Sequence, residues 1–156
     1  MNETRALRTV MRHCLNLKQA LGKVISNLQD RSDSHDYSKL EDDEFDAVIH
    51  YQKLDGLEYG SEEYKEKMNE IRPFTAKGWD LHIKRNSHHP EHHNNIDDMG
   101  LLDIIEMVCD WKAANATYNT SEQSFRDAAK VCIEKYGFNM TQRWAIYQVI
   151  DILDPN

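Results

Sequence analysis

The sequence predicts an all-α protein, a single-domain helical bundle of about six to seven helices, on three observations. Apolar residues recur at helical spacing along most of the 156-residue chain. Alternating β-branched runs, which are typical of strands, are scarce. The chain has only three prolines, so most segments can continue as helices. Its length suits one domain, 1–156, whose core needs no disulfide or metal to hold it together.

Local signals set the predicted helices of the first half. The longest helix follows from one apolar stripe at about 100° per residue. Ser38 and Glu41 have the spacing of a capping box, which opens the next helix. Pro73 suits the first turn of a helix, and therefore separates two helices here. The predicted helices span 4–30, 39–53, 61–71 and 73–86.

The second half contains one loop and three predicted helices. Pro90 disfavours helical geometry at His89, so 87–96 is predicted to be a loop. Gly137 suits the C-cap of a helix. The last helix is apolar enough for the core or for a dimer interface, and periodicity does not decide between them. Two pairs have capping-box spacing: Thr120 with Gln123, and Asn139 with Gln142. The predicted helices span 98–117, 121–136 and about 139–153, of which the C-terminal part, 120–154, completes the bundle.

Composition narrows the class of protein. The net charge of −8 disfavours an extended nucleic-acid-binding surface, although a local basic pocket stays open. No apolar run approaches 18 residues and no secretory leader is evident, so a cytoplasmic protein without membrane contact is expected. The three cysteines, which lack disulfide or zinc spacing, are expected to be buried and reduced: Cys14, Cys109 and Cys132.

Two candidate metal ligands lie near the start of the chain. His13 is at the edge of the apolar stripe and is expected to point inward, where a buried histidine with one hydrogen-bond partner is the alternative. His35 and Asp36 are adjacent at a break between helices. Neighbouring side chains on a regular helix diverge by about 100°, so both can face one ion only where the backbone is irregular. A helix-capping Asp36 is the alternative.

A carboxylate face and a histidine-rich segment supply further candidates. Asp103, Glu106 and Asp110 share one face of the predicted 98–117 helix, and the alternative is an ordinary solvated face. The segment "LHIKRNSHHPEHHNN", 81–95, holds five of the eight histidines. A loose surface chelator is the alternative reading, but Pro90 fixes the chain direction in a way that suits aimed side chains. The five are His82, His88, His89, His92 and His93.

Mixed imidazole and carboxylate ligands favour a particular class of ion. They suit Mn, Fe, Co, Ni or Zn rather than Ca, with Mg as a further candidate. One ion, or two close together, can bind a phosphate and generate hydroxide from bound water near neutral pH. This chemistry is phosphoester hydrolysis.

The order of these residues resembles the H…HD…D signature of the HD-domain metal-dependent phosphohydrolases. "HDYSK" is similar to a form of the motif that is common there. The resemblance implies an HD-like helical fold and a first metal held by four ligands, although Asp103 or Glu106 could replace the last of them. These ligands are His13, His35, Asp36 and Asp110.

A finer pattern resembles an HD-related phage and bacterial group of unknown function. Its motifs correspond here to "HDYSK", "WDLH", "NSHHPEHH" and "EMVCDW", which lie within 13–111. The resemblance implies that His82, with His88 or His89, holds a second ion. It places Glu91, His92 and His93 at the rim or in contact with substrate. It also implies a bacterial or phage-infected cell as the location.

The function expected from these observations is metal-dependent hydrolysis of a small phosphorylated compound. Family analogy favours a nucleotide, in a 5′-nucleotidase-like or deoxynucleotidase-like reaction. Asp36 is expected to orient or deprotonate the water, and Lys39 to assist at the phosphate. The alternatives are a metal-binding regulator or adaptor without hydrolytic activity, and a helical interaction protein without metal. A homodimer stays open. The candidate substrate contacts are Lys39, Lys84, Arg85, Glu91, His92 and Glu106.

Overall fold

The computed structural model describes residues 3–58, 60–118 and 123–155. It confirms the all-α prediction, because these residues form six α-helices and short 3-10 turns without a strand. The 3-10 turns are Tyr37–Leu40, Gln52–Leu54, Pro90–His92 and Ile96–Asp98. The helices are α1 (Glu3–Ser34), α2 (Asp42–Tyr51), α3 (Glu62–Arg85), α4 (Leu101–Tyr118), α5 (Phe125–Tyr136) and α6 (Met140–Leu153).

The chain divides into two compact units, Met1–His35 and Asp36–Asn156. The first unit consists of α1, which extends four residues beyond the predicted end. Its last turn is polar, and the Ser34 hydroxyl there donates a hydrogen bond to the Asp30 carbonyl of the same helix at 2.8 Å. The predicted apolar stripe is present, but α1 buries none of its side chains. His13 is exposed, contrary to the expectation that it points inward.

The second unit places α3 against α2. Pro73 lies inside α3 instead of starting a new helix, so the prediction of two helices at 61–71 and 73–86 was wrong. A proline removes one backbone hydrogen bond, but burial of one face can offset that cost. The buried residues recur at helical spacing on both sides of Pro73: Ile71, Thr75, Gly78 and His82.

Helix α2 begins later than predicted. Its first residue is Asp42 and its N-cap is Glu41, which makes no side-chain capping bond. Ser38 instead lies in the preceding 3-10 turn, and its hydroxyl donates to Glu44 Oε2 at 2.7 Å. The predicted Ser38–Glu41 capping box is therefore absent, because the hydroxyl is used in a tertiary contact.

Gly78 allows the close approach of α2 and α3. A Cβ atom at this position would lie 2.5 Å from the Asp43 carbonyl oxygen and 2.6 Å from Ala47 Cβ. Both neighbours belong to the α2 scaffold, so the helices would have to separate to accept any larger residue.

Replacement of Gly78 by Ala is therefore expected to destabilise the protein by about 1–3 kcal/mol through overpacking. Thermal unfolding should then begin several degrees lower, at roughly 2–4 °C per kcal/mol for a chain of this size. Gly22→Ala is the matched control, because Gly22 is also helical and has nothing within 4 Å of an added Cβ. A Gly78→Ala variant as stable as the Gly22→Ala variant would contradict the packing argument.

The core of the second unit is formed by α4, α5 and α6. Helix α6 contributes Ala145, Ile146 and Ile150 to it, which answers the question that periodicity left open for the last helix. The Asn139–Gln142 capping box is confirmed, and so is Gly137 as a C-cap, with φ of 67°. The other core residues are Met99, Ile104, Met107, Val108, Phe125, Ala129, Ile133 and Phe138.

Two predictions for this region and for the cysteines need correction. Helix α5 begins after Ser124, whose side chain caps it, whereas Thr120 and residues 121–122 lie outside the described residues. Cys14 and Cys109 are exposed and only Cys132 is half-buried, so the expectation of three buried cysteines was wrong. In the part of the chain that the structure describes, no helix combines the length and apolar character needed to cross a membrane.

Candidate metal centre

Three histidines reach the centre from the end of α3 and the segment that follows it. His82 is on the last turn of α3, and its side chain is only 3% exposed. Asn86 then ends the helix with an extended backbone. His89 is also extended, at φ −84° and ψ 128°, as expected for a residue that precedes proline. This turn brings His88 and His89 back towards His82.

Asp36 reaches the same point from the start of the second unit. Its backbone is left-handed, with φ of 57°, and no other described non-glycine residue has positive φ. The irregular backbone expected at this position is thus confirmed. Aspartate tolerates this region better than most residues, and such conformations concentrate at functional sites. The two oxygens of the Asp36 carboxylate have different neighbours. Oδ2 accepts a hydrogen bond from Lys39 Nζ at 2.5 Å, whereas Oδ1 faces the histidines.

The donor atoms of these four side chains lie close together. His82 Nε2 is 3.4 Å from Asp36 Oδ1 and 2.9 Å from His89 Nε2. His88 Nε2 is 3.7 Å from the same Asp36 oxygen. All four residues offer a donor atom within 4.8 Å of the others. We refer to Asp36, His82, His88 and His89 as the histidine cluster.

These spacings fit the coordination shell of a transition-metal ion. With metal–nitrogen distances near 2.1 Å, neighbouring donors in a tetrahedral shell are about 3.4 Å apart. The separations in the cluster are 2.9, 3.4 and 3.7 Å, so one equals that value and the other two lie within about 0.5 Å of it. Three imidazoles and one carboxylate suit Zn, Mn, Fe, Co or Ni. The described residues could therefore hold a metal ion.

Glu44 orients His82 and was missed at the level of sequence. Its carboxylate is buried, and its Oε2 lies 3.0 Å from His82 Nδ1. The carboxylate therefore accepts a hydrogen bond from the Nδ1–H group of His82. The lone pair of His82 then lies on Nε2, which faces the cluster. His89 Nε2 donates a hydrogen bond to the Nε2 lone pair of His82. An ion bound by both nitrogens would replace this hydrogen bond.

Glu44 is held ionised by its surroundings. Burial by itself raises the pKa of its carboxyl, but hydrogen bonds from Ser38, His82 and Arg85 together hold that pKa below its ordinary value. The Arg85 guanidinium donates to Oε1 at 2.9 Å. In the sequence, Glu44 lies three residues before Ala47, a spacing that puts both on one face of a helix, and the structure buries both.

The carboxylate face of α4 turns towards the same histidines rather than towards solvent. Glu106 Oε1 lies 3.3 Å from His88 Nδ1, a second carboxylate–imidazole contact of the same kind. Asp110 offers an oxygen within 4.8 Å of His88. Asp103 accepts from the Ser87 hydroxyl at 2.6 Å. The three carboxylates are half-buried, so the reading of a purely solvated face was wrong.

His89 is neutral over the physiological pH range. Burial lowers the pKa of its imidazole to about 3, and positive charge on His88 or His82 acts in the same direction. The nearby Asp110 and Asp36 oppose the shift without cancelling it. A neutral imidazole is the form that binds metal ions. A neutral His89 can therefore bind an ion without a net loss of a proton, once a change of tautomer moves the proton from Nε2 to Nδ1.

The remaining histidines of the segment stabilise its path. The His92 imidazole donates from Nδ1 to the Ile83 carbonyl at 2.8 Å, and His93 donates from Nε2 to the Ser87 carbonyl at 2.8 Å. Glu91 accepts from the Tyr136 hydroxyl at 2.8 Å. These bonds fasten the segment to α3 and α5. Contact of His92, His93 or Glu91 with substrate stays a prediction.

The other predicted site residues are placed as follows. His35 is half-buried and ends the first unit, directly before Asp36 in the chain. His13 is exposed on α1. Metal binding by these two histidines stays a prediction. Lys84 is exposed, whereas Arg85 is engaged by Glu41 and Glu44.

These observations define an all-helical protein with a candidate metal centre built from three histidines and an aspartate. The chain belongs to the family described as "Family of unknown function (DUF5662)", whose model matches residues 2–152. Comparison with curated proteins and with solved structures finds no match.

Proposed function

We propose that this protein is a metal-dependent phosphohydrolase that acts on a small phosphorylated substrate, with a nucleotide favoured by the sequence resemblance. The single observation that carries the proposal is the histidine cluster, in which four donor atoms lie within 4.8 Å of one another. Two of its imidazoles also have carboxylate partners at their second nitrogen. Such partners are typical of metal-binding histidines.

The ligands proposed for the ion are Asp36, His82, His88 and His89, with an oxygen of Asp110 close to His88. A divalent ion held by these residues would supply Lewis-acid chemistry, namely polarisation of a phosphoryl oxygen and a lowered pKa for a bound water. Glu44 and Glu106 keep the Nε2 atoms of His82 and His88 directed at the cluster.

Lys39 is the cation best placed to assist at the phosphate. Its side chain is 43% exposed while its ammonium contacts Asp36, so it can face substrate and carboxylate together. An ammonium in this position stabilises negative charge that develops on a phosphoryl oxygen. Asp36, in turn, accepts a hydrogen bond from the attacking water and fixes its orientation.

The proposal is tested by loading the chelator-treated protein with Mn, Fe, Co, Ni, Zn or Mg. Bound metal is measured by elemental analysis, and phosphate release from nucleoside mono- and triphosphates by a colorimetric assay. We expect about one or two ions per chain and metal-dependent release. Bound metal without release from any substrate would favour the regulator or adaptor alternative. Absence of bound metal would contradict both.

A further inference from the structure

A cavity of about 610 Å³ lies beside the histidine cluster, within the second unit. Its walls come from α2, α3, the 3-10 turns at Tyr37–Leu40 and Gln52–Leu54, and the last residues of α4. This volume is in the range of pockets that bind small organic molecules, about 300–1,000 Å³. The cavity is therefore large enough for more than a phosphate group.

Four aromatic side chains contribute to these walls, together with aliphatic and polar residues. Tyr51, Tyr64, Trp79 and Tyr118 all line the cavity. Trp79 is 40% exposed and Tyr118 is 72% exposed, so their rings are accessible to a ligand. Aromatic faces bind planar rings by stacking and accept them with little demand for particular polar groups. The walls thus favour a planar aromatic ligand over a sugar or an aliphatic acid.

The cavity and the histidine cluster share side chains. His82, a member of the cluster, lines the cavity, and so do Lys39 and Glu44, which contact the cluster. Trp79 joins the two, because its ring centroid lies 5.8 Å from that of His82 and 5.4 Å from that of His89. A ligand with its ring against Trp79 therefore has its other end close to Lys39 and the cluster.

We propose that this cavity holds the planar aromatic part of a phosphate ester, either a nucleobase or an aryl group, whose phosphate lies at Lys39 and the histidine cluster. This inference rests on the proposed function for the position of the phosphate, and it deepens that function by naming the substrate class. A phosphorylated sugar without a ring of this kind leaves the aromatic walls uncovered and binds less tightly.

The test compares phosphate monoesters that carry an aromatic ring with one that does not. Binding of adenosine monophosphate, p-nitrophenyl phosphate and ribose 5-phosphate is measured by calorimetry on the chelator-treated full chain. Stacking contributes about 1–3 kcal/mol per base, so the two aromatic esters should bind about 5- to 150-fold more tightly than ribose 5-phosphate. If only the nucleotide does so, the cavity selects a nucleobase, and if both do, it accepts aryl groups in general.

Two variants test whether the aromatic ring of the ligand binds in this cavity. Trp79→Ala should weaken binding of adenosine monophosphate by about tenfold, and Val48→Trp should block it by filling the cavity. Trp144→Ala is the control, because Trp144 is 66% exposed on α6 and does not line the cavity. Circular dichroism should match the parent in all three variants.

The proposal is overturned if ribose 5-phosphate binds the parent protein as tightly as adenosine monophosphate, a result that needs no variant to fold. It is also overturned if folded Trp79→Ala and Val48→Trp variants keep the parental affinity. These binding measurements use no added metal and no turnover. Failure of the proposed function, by contrast, appears as absent metal-dependent phosphate release while the preference for aromatic ligands persists.

Discussion

The Asp36→Asn variant is expected to lose more than about 100-fold in metal affinity and, with it, the proposed phosphate release. Removal of a residue that only hydrogen-bonds to a metal ligand already lowers metal affinity by about 10–100-fold. Asp36 is expected to have a larger effect because it contributes a donor oxygen directly. The change also removes the charge that Lys39 Nζ contacts at 2.5 Å. An amide oxygen is a far weaker ligand than a carboxylate for the ions favoured here.

Asparagine is the informative replacement because of the backbone at this position. Asp36 has φ of 57°, a region that Asn tolerates about as well as Asp, whereas Ala there adds strain of roughly 1 kcal/mol. The Asn variant should therefore keep its thermal stability while losing metal. Elemental analysis after dialysis and the phosphate-release assay measure the two effects separately.

Asp80→Asn is the matched control for this variant. Asp80 is an exposed aspartate on α3, two residues before His82, and lies outside the histidine cluster. Its replacement changes the net charge equally and should leave metal content and activity unchanged. Parental metal content and turnover in Asp36→Asn would remove Asp36 from the metal centre.

The second large effect is expected for Glu44→Gln, which should lower metal affinity by about 10–100-fold. Gln has the shape of Glu, so packing is retained. Its amide nitrogen can donate to His82 Nδ1, which then takes the other tautomer and places its proton on Nε2. The lone pair that faces the cluster is lost, although His82 itself is unchanged.

This variant also has a measurable cost in stability. The buried carboxylate accepts bonds from Ser38, His82 and Arg85, and the loss of one partner of a buried charged pair costs about 3–5 kcal/mol. A neutral amide that still accepts one bond should cost less, about 1–3 kcal/mol. Thermal unfolding measures this part, and nitrogen NMR of the imidazoles reports the tautomer of His82.

Glu41→Gln is the control that distinguishes the role of the buried Glu44 carboxylate from the loss of one negative charge near Arg85. Glu41 contacts the same Arg85 at 3.2 Å, but its side chain is 67% exposed. Surface ion pairs contribute about 0–1 kcal/mol, so this control should change little. If Glu44→Gln and Glu41→Gln bind metal equally well, Glu44 does not set the tautomer of His82.

The fold class was predictable because helix formation depends on local patterns. Periodicity located most helices, and the caps at Asn139 and Gly137 were found from residue type and spacing alone. The same local rules failed at Pro73. There the burial of Ile71 and Thr75 keeps one helix continuous through the proline. Long-range packing outweighed a local preference.

The candidate site followed a similar division. The sequence by itself determined its chemistry: a histidine-rich segment, an adjacent His35–Asp36 pair and an acidic face on a later helix. Only the tertiary structure decided which of these side chains share a centre and which nitrogen of each imidazole faces it. Glu44 shows the physical reason. Its role depends on contacts with residues up to 41 positions away, which bring Ser38, His82 and Arg85 to one buried oxygen pair. No periodic pattern along the chain encodes such a meeting.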